Sequence, residues 1–311
     1  GKVDLRGYHV FIGYGYYTGH NVAEPNGDNA GHEYSYTAAL WVKNQLIISS
    51  EGRLIVRLSL KGIWTVLQEQ LMIVGNPAFS APFFNNPDAE GLPQPVYTDS
   101  VVYDILEDII ETVGGVMRTA TGLTTTLTAL GTADDSIIST YMPQLEFNVA
   151  NIESIAVILE ALMAMTKCYL RVEYNYNFVV VYPQNADLVS ESYYSNQQFY
   201  FQEYVESLNV AIPNHIIVYA NEGADGQWLD YKTGEARDTA SFTGTTYTGP
   251  YMEVKAIFPA RTITNTTDAD NRASAILAKF QAETISGRLL IHHDASVQLY
   301  DRVAVFDVRG S

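Results

Sequence analysis

Five prolines within residues 76–97 constrain the fold of this chain more than any other feature. Each proline fixes φ near about −65° and has no backbone N–H to donate, so neither a regular helix nor a central strand passes through such a segment. We therefore predict a linker over residues 79–97, which separates a first module at 1–78 from the rest of the 311 residues. The prolines are Pro77, Pro82, Pro87, Pro93 and Pro95.

The first module has a period-two pattern typical of β-structure. From Arg53 to Lys61, apolar residues alternate with a mostly polar set, which puts an apolar face on one side of a strand. Turn residues at 49–52 predict a hairpin with a strand at 41–49, and residues 62–67 indicate a short helical turn. We expect a small β-barrel-like module here. The apolar residues are Leu54, Val56, Leu58 and Leu60.

Helical spacing of apolar residues marks the middle module, residues 98–190. A helix is predicted at 99–113, ended by Gly114-Gly115, with most of its acidic residues opposite the apolar face. A loop rich in Thr, Ala and Gly is expected at 119–135, followed by an apolar helix at 152–166 and a β-hairpin at 168–183. These elements predict an α/β module in which Cys168 is a small core residue.

Strand patterns return in residues 191–311, the last module. We predict a strand at 215–220, a long polar loop at 221–250 and a third helix at 268–286 that stops at Gly287. Ile276, Leu277 and Phe280 are the expected core anchors of this helix. The predicted fold class is α+β and β-rich, with two small β-barrel-like tube modules flanking the α/β middle module.

The chain is strongly acidic, with 18 Lys and Arg against 35 Asp and Glu and a net charge of −17. Such a surface repels phosphate groups, which argues against a general nucleic-acid binder. No apolar run reaches the roughly 18 residues that span a bilayer, so we predict no membrane anchor. The 22 tyrosines favour strands and large subunit interfaces.

Motifs that carry catalysis or bind a cofactor are missing from the sequence. Gly13-Tyr14-Gly15 lacks the third glycine and the following helix of a dinucleotide fingerprint, and no phosphate-binding loop or nucleophile elbow occurs. A loop with His20, Asp28 and His32 has metal-capable residues, but its spacing matches no known ligand set. We therefore predict no cofactor, no metal site and no enzymatic activity.

Short segments also occur in a characteristic order along the chain. They are Asp4-Leu5-Arg6-Gly7, Gly13-Tyr14-Gly15, Ser49-Ser50-Glu51-Gly52, Asp104-Ile105-Leu106, Ile158-Leu159-Glu160 and Leu299-Tyr300-Asp301-Arg302-Val303. In this order they resemble the first barrel, middle domain and second barrel of phage tail hub proteins, the late-control or baseplate-hub family of tailed phages and phage-derived injection devices. Tyr300 stands where many members of that family have glycine. Strands that usually precede the Gly-Tyr-Gly segment are absent, so we expect a fragment that lacks its N-terminal strands.

The resemblance implies a structural protein of the virion, made in the bacterial cytoplasm and located at the tail tip, where it joins the tail tube to the tip or baseplate. It also implies a trimeric ring of six barrels, contacts with tube, distal tail, fibre or spike proteins, and passage of DNA without specific binding. Glu203, Glu206 and Glu253 are the acidic residues that we expect to face the channel, where like charge repels DNA. The acidic helix at 99–113 is expected to face solvent.

An alternative interpretation of the tyrosine-rich β-modules is a tail-associated carbohydrate-binding or glycan-hydrolysing protein. Trp41 and Trp64 lie in predicted core segments, which leaves Trp228, in the long loop, as the candidate sugar platform. Saturable glycan binding that is lost in Trp228→Ala would favour this alternative.

Because no metal site is predicted, we expect EDTA to leave the melting temperature of the protein unchanged. A structural ion contributes its binding free energy to folding, so its removal lowers the melting temperature. Calorimetry with and without the chelator tests this. A drop of several degrees would contradict the prediction and point to His20, Asp28 and His32.

Overall fold

A computed structural model describes residues 3–17, 32–50, 52–69, 100–121, 126–129, 136–143, 154–184, 186–196, 201–208, 212–220, 232–249, 252–260, 263, 265–282, 285–292, 294 and 297–308. These residues form a mixed α+β fold that is rich in strands. The predicted linker at 79–97 lies outside the described residues.

A long antiparallel hairpin dominates the first segment. Its two strands pair from Leu40 with Gly62 at one end to Ser50 with Arg53 at the other, as the sequence predicts. Gly52 in the turn has φ +74, a left-handed conformation that glycine adopts without strain. The elements are strands β1 (His9–Val10), β2 (Gly13–Tyr17), β3 (His32–Tyr36), β4 (Leu40–Ser50) and β5 (Arg53–Gly62) and helix α1 (Ile63–Glu69). The strands form the sheet β1-β4-β5 and the separate pair β2-β3.

The middle segment packs helices against a small three-stranded sheet. Its elements are α2 (Val102–Thr121), β6 (Thr126–Ala129), α3 (Ser136–Thr140), α4 (Ile155–Met163), β7 (Tyr169–Val172) and β8 (Asn177–Val181). The sheet order is β6-β8-β7, and a 3-10 turn at Tyr174–Tyr176 joins β7 to β8. Ser154 caps α4, because its Oγ accepts a hydrogen bond of 3.4 Å from the Val157 N–H.

Two sequence predictions for this segment are wrong. Helix α2 continues through Gly114-Gly115 to Thr121, and part of the expected loop at 119–135 is β6, which pairs parallel with β8. Each glycine inside a helix costs only about 1 kcal/mol, so a pair of glycines weakens a helix without necessarily ending it. Strand β6 pairs with a segment remote in sequence, so no local pattern predicts it.

The last segment is centred on a three-stranded sheet covered by a helix. Its elements are β9 (Glu191–Tyr194), β10 (Glu203–Leu208), β11 (His215–Ala220), β12 (Lys232–Arg237), β13 (Phe242–Thr243), β14 (Thr246–Tyr247), β15 (Lys255–Ala260), α5 (Thr266–Ala282), β16 (Ile285–Leu290) and β17 (Val303–Phe306). The sheets are β12-β11-β15, β10-β16, β13-β14 and β9-β17. Helix α5 crosses β12 so closely that a Cβ atom on Gly234 would overlap the backbone of Ala269.

The strand at 215–220 is confirmed, whereas the bounds of the third helix and the loop before it are not. Helix α5 ends at Ala282, and Gly287 lies in β16, paired with Glu206 of β10. Part of the expected loop at 221–250 forms β12, β13 and β14. Strand β12 has the sequence Lys-Thr-Gly-Glu-Ala-Arg, which shows no apolar alternation that would predict a strand. Its register is set by backbone pairing with β11.

One hydrophobic cluster runs through all three segments, from Ala39 and α1 through α2 and α4 to β11 and α5. Of the expected anchors, Leu277 is buried, while Ile276 and Phe280 are half-buried against this cluster. None of the sheets among the described residues closes into a barrel, so the barrel-like modules stay a prediction. The described helices are all too short or too polar to cross a membrane.

The turn between β7 and β8 joins the first segment to the middle one through aromatic rings. Tyr174 stacks on Tyr36 with 5.6 Å between ring centroids, and Tyr176 lies 5.2 Å from Trp41. Tyr176 is fully buried with φ +58, and its hydroxyl has no hydrogen-bond partner among the described residues. Burial raises the pKa of Tyr176 to about 12.

We expect Tyr176→Phe to stabilise the protein by about 1–2 kcal/mol, because it removes a buried polar group without a partner and keeps the ring. Urea unfolding measures the change. The matched control is Tyr174→Phe, two residues away and exposed, which we expect to change the free energy of unfolding by less than about 0.5 kcal/mol. A destabilising Tyr176→Phe substitution would show that the hydroxyl has a partner.

Candidate functional site

The distal end of the β4–β5 hairpin exposes large apolar side chains. Leu54, which the alternation places on an apolar face, is 71 % exposed. An apolar face of a strand is ordinarily buried. Here only Leu58 and Leu60, at the end of β5 nearest to α1, are half-buried. The exposed apolar residues of this hairpin patch are Leu46, Ile47, Leu54, Ile55 and Val56.

Both faces of the hairpin patch are apolar. Ile47 lies opposite Val56, and Ile48 lies opposite Ile55, one position further along. Because side chains alternate across a strand, these two pairs leave opposite faces of the hairpin. Exposed apolar patches of this kind often mark interaction surfaces.

A second apolar surface lies on the parallel pair β9–β17. Parallel sheets are ordinarily covered on both faces, and a sheet of two strands is marginal by itself. Here Tyr194 and Phe306 stack with ring centroids 4.9 Å apart, yet Phe306 remains exposed. The exposed apolar residues of this pair and its flanks are Leu188, Val189, Val303, Phe306 and Val308.

Of the acidic residues expected in the channel, Glu203 and Glu206 lie on β10, whereas Glu253 lies outside any strand. Glu203 of β10 is exposed, with its Oε2 3.9 Å from Arg288 Nη2. The side chain of Glu206 lies outside the part of the chain that the structure describes. Glu253 precedes β15, and its Oε1 lies 2.8 Å from His215 Nδ1 and 3.2 Å from Lys255 Nζ. Glu253 therefore belongs to a local ion-pair network.

Sequence reasoning did not find the partner of Glu253. His215 begins β11 and is 3 % exposed, with its ring edge-on to Phe242 and its Nε2 3.5 Å from Glu235 Oε2. Glu235 also pairs with Arg237. The parallel pairing of β11 with β15 brings His215 and Lys255 side by side. Neither strand's own sequence predicts this pairing, because the two strands lie far apart in the chain.

The remaining candidate metal-binding and catalytic residues form no site in the described part of the chain. No group of three His, Cys, Asp or Glu side chains is arranged there to hold a metal ion. Cys168 is buried after α4, and its N–H donates to Thr166 Oγ1. His20, Asp28 and Trp228 lie outside the described residues, as does the side chain of His32.

The fold is similar to that of phage tail proteins over nearly the whole chain. A tail protein from Neisseria meningitidis MC58 matches with a TM-score of 0.55 and 12 % identity, over 97 % of this chain and 78 % of that one. The 43 kDa tail protein of prophage MuSo2 from Shewanella oneidensis matches with a TM-score of 0.53 and 9 % identity, over 96 % of this chain and 80 % of that one. At the level of the fold, these similarities confirm the resemblance to a phage tail family. The sequence matches no protein-family model and no curated protein.

We expect the stabilising contribution of Glu253 to be lost at low pH. The hydrogen bond from His215, assisted by Lys255, lowers the pKa of Glu253. A carboxyl whose pKa is lower in the folded state stabilises the protein above its unfolded pKa, and this contribution disappears as pH falls through the folded value. The difference in unfolding free energy between wild type and Glu253→Gln should therefore shrink between pH 7 and pH 3. A difference that is constant over this range would contradict the assignment, and Glu203→Gln is the control.

Proposed function

We propose that this protein is a structural component of a phage tail, acting as a hub at the tail tip or baseplate. The observation that carries the proposal is the fold similarity to two phage tail proteins, over 97 % and 96 % of this chain. The order of the sequence segments that resemble hub proteins supports the finer assignment to a hub. The same similarity supports a structural rather than enzymatic role and a place in the virion.

The two exposed apolar surfaces support assembly with other chains. Open strand edges that carry apolar side chains are an aggregation hazard unless a neighbour covers them. A ring of identical copies covers such edges by repeating one heterologous contact until it closes. We propose that the hairpin patch and the β9–β17 surface make these contacts, in a trimeric ring that joins tube, distal tail, fibre or spike proteins.

The net charge of −17 supports passage of DNA through such a ring without specific binding. In this arrangement modules 1–78 and 191–311 form the ring, and module 98–190 lies outside or below it. Glu203, Glu206 and Glu253 are the acidic residues that we propose for the channel wall. Arg288 and Lys255 reduce the local charge at Glu203 and Glu253, so further acidic residues must contribute.

The position of this chain in an intact particle tests the proposal. Symmetry-averaged electron microscopy of tails that contain the protein should place it around the central channel at the distal end of the tube. Density on the capsid, or at the far end of a fibre away from the channel, would refute the hub assignment.

We expect Val56→Lys to reduce incorporation of the protein into tails at least about tenfold, because it puts a charge into the hairpin patch, and tenfold corresponds to about 1.4 kcal/mol. Mass spectrometry of purified particles gives the copy number. Ser59→Lys is the matched control, since it adds the same charge at an exposed position of the same strand outside the patch. Equal incorporation of both variants would rule out the patch as a contact surface, provided that their melting temperatures agree.

A further inference from the structure

A cleft of about 680 Å³ lies where the end of β8, helix α5 and the turn before β17 meet. Its volume is within the range of ligand pockets in proteins. Three tyrosines line it, and the polar groups around them are amides, carboxylates and a guanidinium. The residues used below are Tyr169, Tyr182, Gln184, Gln281, Tyr300 and Arg302.

Tyr300 occupies this cleft at a conformational cost. Its φ is +70, in the left-handed region that favours glycine and is unfavourable for a bulky side chain. Its ring stacks on Tyr169 with 4.7 Å between centroids, yet the residue remains 38 % exposed. Glycine would adopt this backbone conformation without strain. The presence of a partly exposed tyrosine therefore points to a contact made by its side chain.

The residues of the cleft favour a neutral polar ligand. The guanidinium of Arg302 is held by the Asp187 carbonyl at 2.7 Å, and the carboxylate of Asp301 accepts from Arg171 at 3.0 Å. Among the described lining residues, two carboxylates, Asp187 and Asp301, stand against one cation, Arg302, so this part of the lining has no positive excess to attract a phosphate or another anion. The amide of Gln184 can donate and accept hydrogen bonds. Gln281 Nε2 donates to Asp238 Oδ1 at 3.0 Å, and its Oε1 can accept from a ligand.

The cleft also differs from a protein-docking pocket. Among the described residues that line it there is no Leu, Ile, Val, Phe or Met, and the aliphatic contribution comes from alanines and one proline. Protein interfaces bury aromatic or aliphatic anchors in dry, apolar pockets. The hairpin patch, built from Leu, Ile and Val, has that character, whereas a tyrosine floor with amides at the rim suits a ligand that carries many hydroxyl groups.

We propose that this cleft binds a neutral oligosaccharide. The apolar C–H face of a sugar ring stacks on Tyr300 and Tyr182, and the amides of Gln184 and Gln281 bond its hydroxyl groups. The proposed site does not depend on the hub assignment, because it lies within one copy of the chain. Sugar contact would add recognition of a cell-surface glycan to a structural tail protein.

Saturation-transfer difference NMR on the full chain tests the proposal. The probes are the tetrasaccharides of β-1,4-linked N-acetylglucosamine, maltose-type glucose, cellulose-type glucose and mannose, each at millimolar concentration. We expect saturable binding of at least one of them, weakened about tenfold or more by Tyr300→Gly, which removes the ring and relieves the backbone strain. Tyr300→Phe keeps the ring face and should retain most of the binding.

Two further variants separate the possible outcomes. Tyr8→Ala removes an exposed tyrosine that does not line the cleft and should leave binding unchanged. Gln281→Ala removes a rim amide from an exposed position and should weaken binding even if Tyr300→Gly fails to fold. No binding of any probe, or binding that none of the cleft variants changes, would overturn the proposal. Loss of tail incorporation in Tyr300→Gly without sugar binding would instead assign the cleft to a protein partner.

Discussion

Two cations of helix α5 bind the last carbonyl groups of helix α4, and the arrangement of the segments depends on this contact. Lys279 Nζ lies 2.5 Å from the Met163 carbonyl oxygen, and the Arg272 guanidinium donates to the Ala164 carbonyl. The final carbonyls of a helix have no intrahelical donor and carry partial negative charge, so they favour cations. Burial lowers the pKa of Arg272, but an arginine keeps its charge there. The contact therefore fixes α5, and with it the β12-β11-β15 sheet, against the middle segment.

The β7–β8 hairpin, which follows α4 directly, carries the other connections. Its turn holds the first segment through Trp41 and Tyr176. Arg171 of β7, which is paired with Glu173 of the same hairpin, holds the last segment through Asp301 and the Leu299 carbonyl. The buried surface is thus concentrated around this hairpin and α4. What stays outside is the distal hairpin patch, the β9–β17 surface and the tyrosine cleft, which are the surfaces available for contact with other molecules.

Local pattern was sufficient wherever the segment itself carries apolar residues at strand or helix spacing. We could predict hairpin β4–β5, strand β11 and the existence of α2, α4 and α5. In each case the spacing of the apolar residues identifies the secondary structure and its apolar face without knowledge of the packing partner. Strands β6 and β12 could not be predicted, because their registers are set by β8 and β11 through backbone hydrogen bonds that carry no side-chain signal. For the same reason the pairing of Glu253 with His215 was missed, although both residue types suggest charge chemistry.

By itself, the sequence determined the fold class, the acidic charge and the resemblance to tail proteins, because composition, periodicity and the order of short segments need no knowledge of distant contacts. Tertiary structure alone decided which apolar residues are buried. Leu54 and Val56 have the same alternation as Leu58 and Leu60, yet they remain exposed because no element of the described part of the chain packs over the end of the hairpin. It also decided that Tyr300 adopts a left-handed conformation beside Tyr169, since that turn is held by contacts with residues far away in the chain.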